Sequence, residues 1–319
     1  MPYRRISKKI ELLTIDNPAT SNKIEWYNIV NAGKTELEYI RRRHGFNMEH
    51  IQASTASSFS QRPMVMEEPK YVFLILHFPT FSNKKIKAGE VDFFIGHGFI
   101  ITLHNNNLPA LTGFFNSCKK DATALASYYK DSSAILLAEV LDRLIKSCYP
   151  LLDKNSQEID EVEEVIFSNE QKKAVGVILD LRHNIINIRK IFQNHKNILQ
   201  KLMNLRSSIV PSAEVKKHYT DLVEHSKRIW EALDNQKEMI EVLNSTNESL
   251  LNDKMTGIMK TLTIFSVIVF PLTLLAAIFG MNARYMPFVE HPFGFWMILG
   301  LMFTLSMFML AFFKSKKWL

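Results

Sequence analysis

Two hydrophobic patterns divide the chain. Up to Lys260, apolar positions recur at intervals of two, three or four among polar ones, and from Thr261 onwards they run together. No charged side chain occurs from Thr261 to Ala283, nor from Phe293 to Phe313. Each run is long enough to cross a hydrocarbon core of roughly 30 Å as a helix rising ~1.5 Å per residue. Lipid offers backbone polar groups no partners, so runs of this kind are expected as spanning helices. Their connection is short, which predicts a hairpin with both ends on one side. Lys314, Lys316 and Lys317 follow the second run and Lys254 and Lys260 precede the first, whereas the loop offers only Arg284. That asymmetry places both ends in the cytoplasm.

Before the spans, alternating patterns predict strands over Lys9–Ile15 and Ile24–Val30, with Trp26 and Ile29 in the core. Helical spacing of Leu37 and Ile40 predicts a helix from Lys34 to His44, closed by Arg41-Arg42-Arg43. Gln52–Ser60 reads as a loop or weak helix. Tyr71–Phe78 reads as a strand, and Glu90–Ile95 with Phe99–His104 as a hairpin about Gly96-His97-Gly98. The expected result is an α/β domain with a mixed sheet, residues 1–130.

Helical periods then take over. A helix over Ser133–Phe167 would set Leu137, Leu144, Leu151, Ile159, Val162 and Ile166 near one face. A second over Gln171–Asn204 would carry Val177, Leu181, Ile185, Ile188, Phe192 and Leu199. They form an expected antiparallel hairpin, residues 131–210, one arm acidic (Glu158, Asp160, Glu161, Glu163, Glu164) and the other basic (Lys172, Lys173, Arg182, Arg189, Lys190). The plain reading of that charge is a complementary, solvated pair. Pro211-Ser212 marks a new helix start. Nothing interrupts the pattern from Ala213 to Phe279, so a stalk (211–260) is expected to continue into the first span (261–282). Its seam of Leu222, Ser226, Ile229, Leu233, Gln236, Ile240, Leu243, Asn247 and Leu250 follows four-three steps. A lone stalk is expected to leave that seam uncovered, and its polar members suit a wet axis. Extended into the membrane, the stripe is expected to include Met259, Leu262, Ser266, Phe270, Thr273 and Ala277. An outer loop (283–292), second span (293–313) and basic tail (314–319) complete the division.

Composition adds exclusions. A net charge of +7 over 319 residues is not gathered into a nucleic-acid stripe, and its clearest share is the lysine cluster beside the membrane, which anionic lipid attracts. Cys118 and Cys148, far apart, argue against a disulfide framework and a zinc site. Met1-Pro2-Tyr3-Arg4-Arg5 has no apolar stretch behind it, so no cleavable signal is expected. Phosphate loops, nucleophile elbows, zinc-protease motifs and paired cysteines are absent. The ten histidines are scattered; His218 and His225 share a stalk face with Asp221. An enzyme is not expected.

The chain resembles the CorA family of divalent-cation channels. The resemblance rests on Phe279-Gly280-Met281-Asn282, Tyr285-Met286-Pro287, Lys316-Lys317-Trp318-Leu319, Met259-Lys260-Thr261-Leu262-Thr263-Ile264 and Pro271-Leu272-Thr273. It implies a homopentamer in the plasma membrane whose first span lines a pore for Mg²⁺, with Co²⁺ and Ni²⁺ as secondary ions. Gly280, Met281 and Asn282 then form the selectivity filter. Met259, Leu262 and Phe270 become an apolar constriction, and Thr273 a hydroxyl ring. Mg²⁺ dehydrates reluctantly, so a collar of Asn282 amide oxygens suits the ion's water shell. Gly280 reads as a C′ glycine and Met281 as packing.

The sequence departs from the family pattern in several places. Phe270 replaces an expected methionine, Arg284 stands where an acid is common, and Glu290 is displaced. The family senses Mg²⁺ at carboxylates shared between subunits. Asp221, with Glu224 nearby, falls at the stalk position. The other position falls in Gln52-Ala53-Ser54-Thr55-Ala56-Ser57, where the nearest acids are Glu49, Glu67 and Glu68. A lower acidic ring is replaced by Ser245. Two alternatives stay open: a Zn²⁺ transporter of the same architecture, against which Met281 weighs, and a membrane-anchored sensor or scaffold that conducts nothing.

Overall fold

A computed structural model describes residues 3–16, 23–55, 62–82, 85–120, 132–168, 170–205, 213–281, 287–288, 291–316 and 318. They fall into two compact units, 1–244 and 245–319. The first is built on seven strands: β1 Tyr3–Arg5, β2 Ile10–Asp16, β3 Lys23–Val30, β4 Met64–Glu67, β5 Tyr71–Ser82, β6 Lys85–Gly96 and β7 Phe99–His104. Their order is β1-β2-β3-β7-β6-β5-β4. β3 and β7 run parallel, from Glu25 opposite Phe99 to Val30 opposite His104, and the other pairs are antiparallel. The sheet is therefore mixed, as expected.

Helices cover both faces of the sheet, which is why its central strands read as continuous apolar runs. Helices α1 (Lys34–His44) and α2 (Met48–Ala53) close one face over Tyr27, Ile29, Phe73, Phe94 and Ile101. On the other, Trp26 is fully buried. It packs edge-on against Phe115 at 5.0 Å and donates from Nε1 to Thr102 Oγ1 at 3.2 Å. Phe115 comes from α3 (Pro109–Lys120), a helix the sequence pattern did not predict. Both β5 and β6 outrun their expected limits. Pro79 suggests a strand end, but β4 pairs with β5 only over Val72–Ile75. Among the described residues no strand pairs with that side of β5 at Pro79, where a missing N–H costs no ladder bond.

The expected helix over Ser133–Phe167 is two: α4 (Ser133–Lys146) and α5 (Tyr149–Phe167). Pro150 lacks an amide proton, and its ring opposes the carbonyl four residues back, at Lys146, where α4 stops. The break changes the phase, so Leu152 is buried and Leu151 only half-buried. The next helix also divides, into α6 (Gln171–Phe192) and α7 (His195–Met203). Its buried stripe runs through Ala174, Ile178, Leu181, Ile185 and Ile188, whereas Val177 is exposed. α7 starts at His195, fully buried, with Nε2 2.8 Å from the His77 carbonyl.

Helix α8 runs unbroken from Ala213 to Phe279 with Pro271 inside it; Pro211 and Ser212 lie outside the described residues. Its seam is not left uncovered. Leu222, Ser226, Ile229, Leu233, Gln236, Ile240 and Leu243 are all buried within the single chain. Gln236 Nε2 donates to the Leu152 carbonyl at 2.8 Å and to Ser156 Oγ at 2.9 Å, and Asn155 Nδ2 donates to Gln236 Oε1 at 3.4 Å. Tyr219 donates to the Ala134 carbonyl at 2.9 Å. The polar seam position at Gln236 thus serves contact with α5 rather than a wet axis. The acids at the end of α5 (Asp160, Glu161, Glu163, Glu164) and Lys172, Lys173, Arg182 and Lys190 of α6 are exposed, and Arg189 pairs with Asp234 of α8 at 2.6 Å.

In the second unit, the end of α8 and α9 (Gly294–Ser315) are long and apolar enough to cross a membrane. Only 6% of the first apolar window and none of the second is buried, which distinguishes them from core helices of a water-soluble fold.

Candidate functional site

The stripe Met259, Leu262, Ser266, Phe270, Thr273 and Ala277 occupies one side of α8. At ~100° per residue these positions lie within about 80° of one another. Met259 is 61%, Leu262 63% and Phe270 71% exposed in the single chain. Thr273 and Ala277 are exposed too, with Ser266 partly so. This face is not the continuation of the buried seam, whose members are covered through Asn247. α8 therefore spends one face inside its own chain and leaves another open, a division that a single four-three repeat read along the sequence had merged.

The hydroxyls on the open face have a defined polarity. Thr273 Oγ1 donates to the Val269 carbonyl at 2.9 Å and Ser266 Oγ to the Leu262 carbonyl at 2.9 Å. Each proton is used on the helix backbone, so the side chain offers outward only oxygen lone pairs, the half of a hydroxyl that suits a cation or its bound water. Pro271 withholds the amide that would bond the Val267 carbonyl.

At the helix end, the Gly280 amide bonds the Ala276 carbonyl at 2.9 Å and the Met281 amide that of Ile278 at 3.2 Å. Gly280 does not adopt the left-handed conformation expected of a C′ glycine; among the described residues positive-φ glycines are Gly45 and Gly98. Its constraint is steric: a Cβ there would lie 3.1 Å from the Ala276 carbonyl oxygen. Met281, expected as packing, is 63% exposed in the single chain. Asn282, Arg284, Glu290 and Lys317 lie outside the described residues. Lys314 and Lys316 are exposed at the end of α9.

Asp221 and Glu224, the expected regulatory acids, line a cavity of about 330 Å³ with Glu139, Asp142, Lys146 and Arg228. Several of its charges already neutralise one another, with Asp142–Lys146 at 2.7 Å and Glu224–Arg228 at 3.2 Å. At its side Tyr149, its phenol pushed up by burial, lies 2.9 Å from His225 Nδ1. Among the described residues no group of three or more His, Cys, Asp or Glu side chains is placed to hold a metal ion.

Comparison with known proteins covers almost the whole chain. Residues 21–316 match the family model described as CorA-like Mg²⁺ transporter protein. The cobalt/magnesium transport protein CorA of Thermotoga maritima is 24% identical over 297 residues, 92% of this chain and 83% of that protein. The complete structure of the CorA magnesium transporter from Methanocaldococcus jannaschii superposes with a TM-score of 0.84 at 20% identity, covering 99% of this chain and all of the other. The cytoplasmic domain of ZntB from Vibrio parahaemolyticus gives a TM-score of 0.56 at 12% identity over 72% of this chain and 88% of that one.

Proposed function

The chain belongs to the CorA-like Mg²⁺ transporter family, and on that premise we propose that it carries divalent cations, Mg²⁺ first, across the plasma membrane. In this reading it does so as a passive homopentameric channel, with both termini cytoplasmic. The observation that carries the reading is the open face of α8. It is apolar at Met259, Leu262 and Phe270, presents oxygen lone pairs at Ser266 and Thr273, and leads to Gly280 and Met281. Five such faces around an axis make a constriction that excludes water when narrow, with a hydroxyl ring beyond it. Phe270 supplies a flat, bulky closure.

Asn282 is proposed as the collar at the outer mouth. Its amide oxygen accepts hydrogen bonds from the water shell of Mg²⁺, an ion that sheds water reluctantly, and holds the hydrated cation without the tight grip of a carboxylate. Glu290 would gather cations from the loop, and Arg284 would oppose them. Lys314, Lys316 and Lys317 would ring the inner face of the membrane. Co²⁺ and Ni²⁺ share the charge and octahedral habit of Mg²⁺ and are expected as secondary substrates. Asp221 and Glu224 would act in regulation only with carboxylates of a neighbouring subunit. A membrane potential contributes about 2.3 kcal/mol per charge per 100 mV, twice that for a divalent ion, and so drives entry.

The test is flux. Liposomes holding the purified protein are expected to admit Mg²⁺ under an inside-negative potential, and Asn282→Ala to abolish that entry or its selectivity. Absence of flux in the parent would instead favour a non-conducting sensor or scaffold, and Zn²⁺ entry without Mg²⁺ a zinc transporter.

A further inference from the structure

At the β4 edge of the sheet, three side chains with metal-ligating atoms converge. His50, on α2, is 4% exposed. Its ring stacks on Phe73 (4.7 Å between centroids, 17° between planes), and Nδ1 lies 2.8 Å from the Tyr71 hydroxyl. That hydroxyl also accepts the Asn47 amide proton at 3.0 Å, so residues at both ends of the connection from α1 to β5 fix the ring. The other ring nitrogen, Nε2, points to Met66 Sδ at 3.2 Å, and Glu68 Oε1 lies 4.0 Å from it. Met66 is 45% exposed, so the thioether is reachable from solvent.

We propose that His50, Met66 and Glu68 form a binding site for a soft or borderline transition-metal ion such as Cu⁺ or Ni²⁺, and one that does not take Mg²⁺. The distances fit. A metal about 2.0 Å from an imidazole nitrogen and about 2.3 Å from sulfur holds those atoms about 3.2–3.6 Å apart at angles of about 95–110°. The anchored Nδ1 supplies the supporting contact that orients a metal-bound histidine, since the Tyr71 oxygen can accept the Nδ1 proton while Nε2 presents its lone pair. Imidazole and thioether select late transition metals, whereas Mg²⁺ takes oxygen ligands and keeps its water. The donor set joins α2 to the β4 edge and uses none of the pore residues. It is independent of whether the chain transports anything.

The test uses the full-length protein in detergent, with Ag⁺ as a redox-inert substitute for Cu⁺, Ni²⁺ as the borderline probe and Mg²⁺ as the counter-probe. The methionine methyl resonances are followed after ¹³C labelling, that of Met66 being the one lost in Met66→Leu. The Met66 signal is expected to shift with one equivalent of Ag⁺ per chain and to stay shifted in excess Mg²⁺. Met66→Leu, a volume-conserving change at a half-exposed position, is expected to weaken Ag⁺ binding by at least about tenfold. Glu68→Gln is expected to weaken Ni²⁺ binding with the melting temperature unchanged, and serves as the second variant should Met66→Leu not fold. A Met66 signal indifferent to both ions, or equal affinities in parent and variants, would overturn the proposal.

Discussion

Three imidazoles show how far single residues set the conditions under which the protein is stable. Burial is the main cause holding His44, His104 and His195 down to about 4, with the neighbouring Arg43 adding to it at His44. His104 also has both ring nitrogens in use. Nε2 lies 2.9 Å from Asn28 Oδ1 and Nδ1 accepts the Asn106 amide proton at 3.1 Å, which fixes the neutral tautomer. A second proton would face a donor already in place. Because the unfolded chain takes up these protons near pH 6.5 and the folded chain only near 4, stability present above that window is lost as pH falls through it. Each pKa unit corresponds to about 1.4 kcal/mol. Thermal melting of the solubilised protein is expected to drop steadily between pH 6.5 and 4; a flat profile there would contradict the assignment. Neither this network nor the pairing of His77 with Glu90, 3.0 Å apart, was legible in the sequence. Their partners come together only through strand register, as Glu90 meets His77 across β5 and β6.

Among elements, the sequence showed most where one period ran undisturbed and least where a proline changed its meaning. The unbroken pattern from Ala213 to Phe279 corresponds to a single helix, and Trp26 and Ile29 are fully buried where alternation placed them. Pro79 hid the last third of β5 because an edge position tolerates it, and Pro150 divided a helix that apolar spacing alone made continuous. The stalk seam was read with the right residues and the wrong partner. Spacing says that a face is covered but not by what, and here α5 takes the contact through Gln236. Gln236→Leu is accordingly expected to destabilise the first unit by about 1–3 kcal/mol, since it leaves Asn155 Nδ2 without its acceptor. Denaturant melts of parent and variant would measure it, and an unchanged midpoint would place the contact's value near zero.

For the whole molecule, the open face of α8 and the exposed spans are apolar surface that the single chain leaves uncovered. The proposed assembly predicts a native mass in detergent of five chains, read by native mass spectrometry or light scattering with detergent subtracted. A monomer or dimer would leave Met259, Leu262 and Phe270 without neighbours and remove the pore. Asn282 stood out from sequence through the motif that holds it, whereas the hydroxyl polarity of Ser266 and Thr273 appears only once their backbone partners are known.

The parallel join of β3 to β7 also bears on how the protein is made. Glu25–Val30 pair with β2 early, but their other edge finds its partner only when Phe99–His104 have been synthesised, and closing so long a loop is slow beside forming a hairpin. Until then the nascent chain carries an unpaired strand edge, open to association with other chains. The sheet can close before the apolar runs leave the ribosome, so a lesion at this join would make itself felt as aggregation during translation, ahead of any fault in membrane insertion.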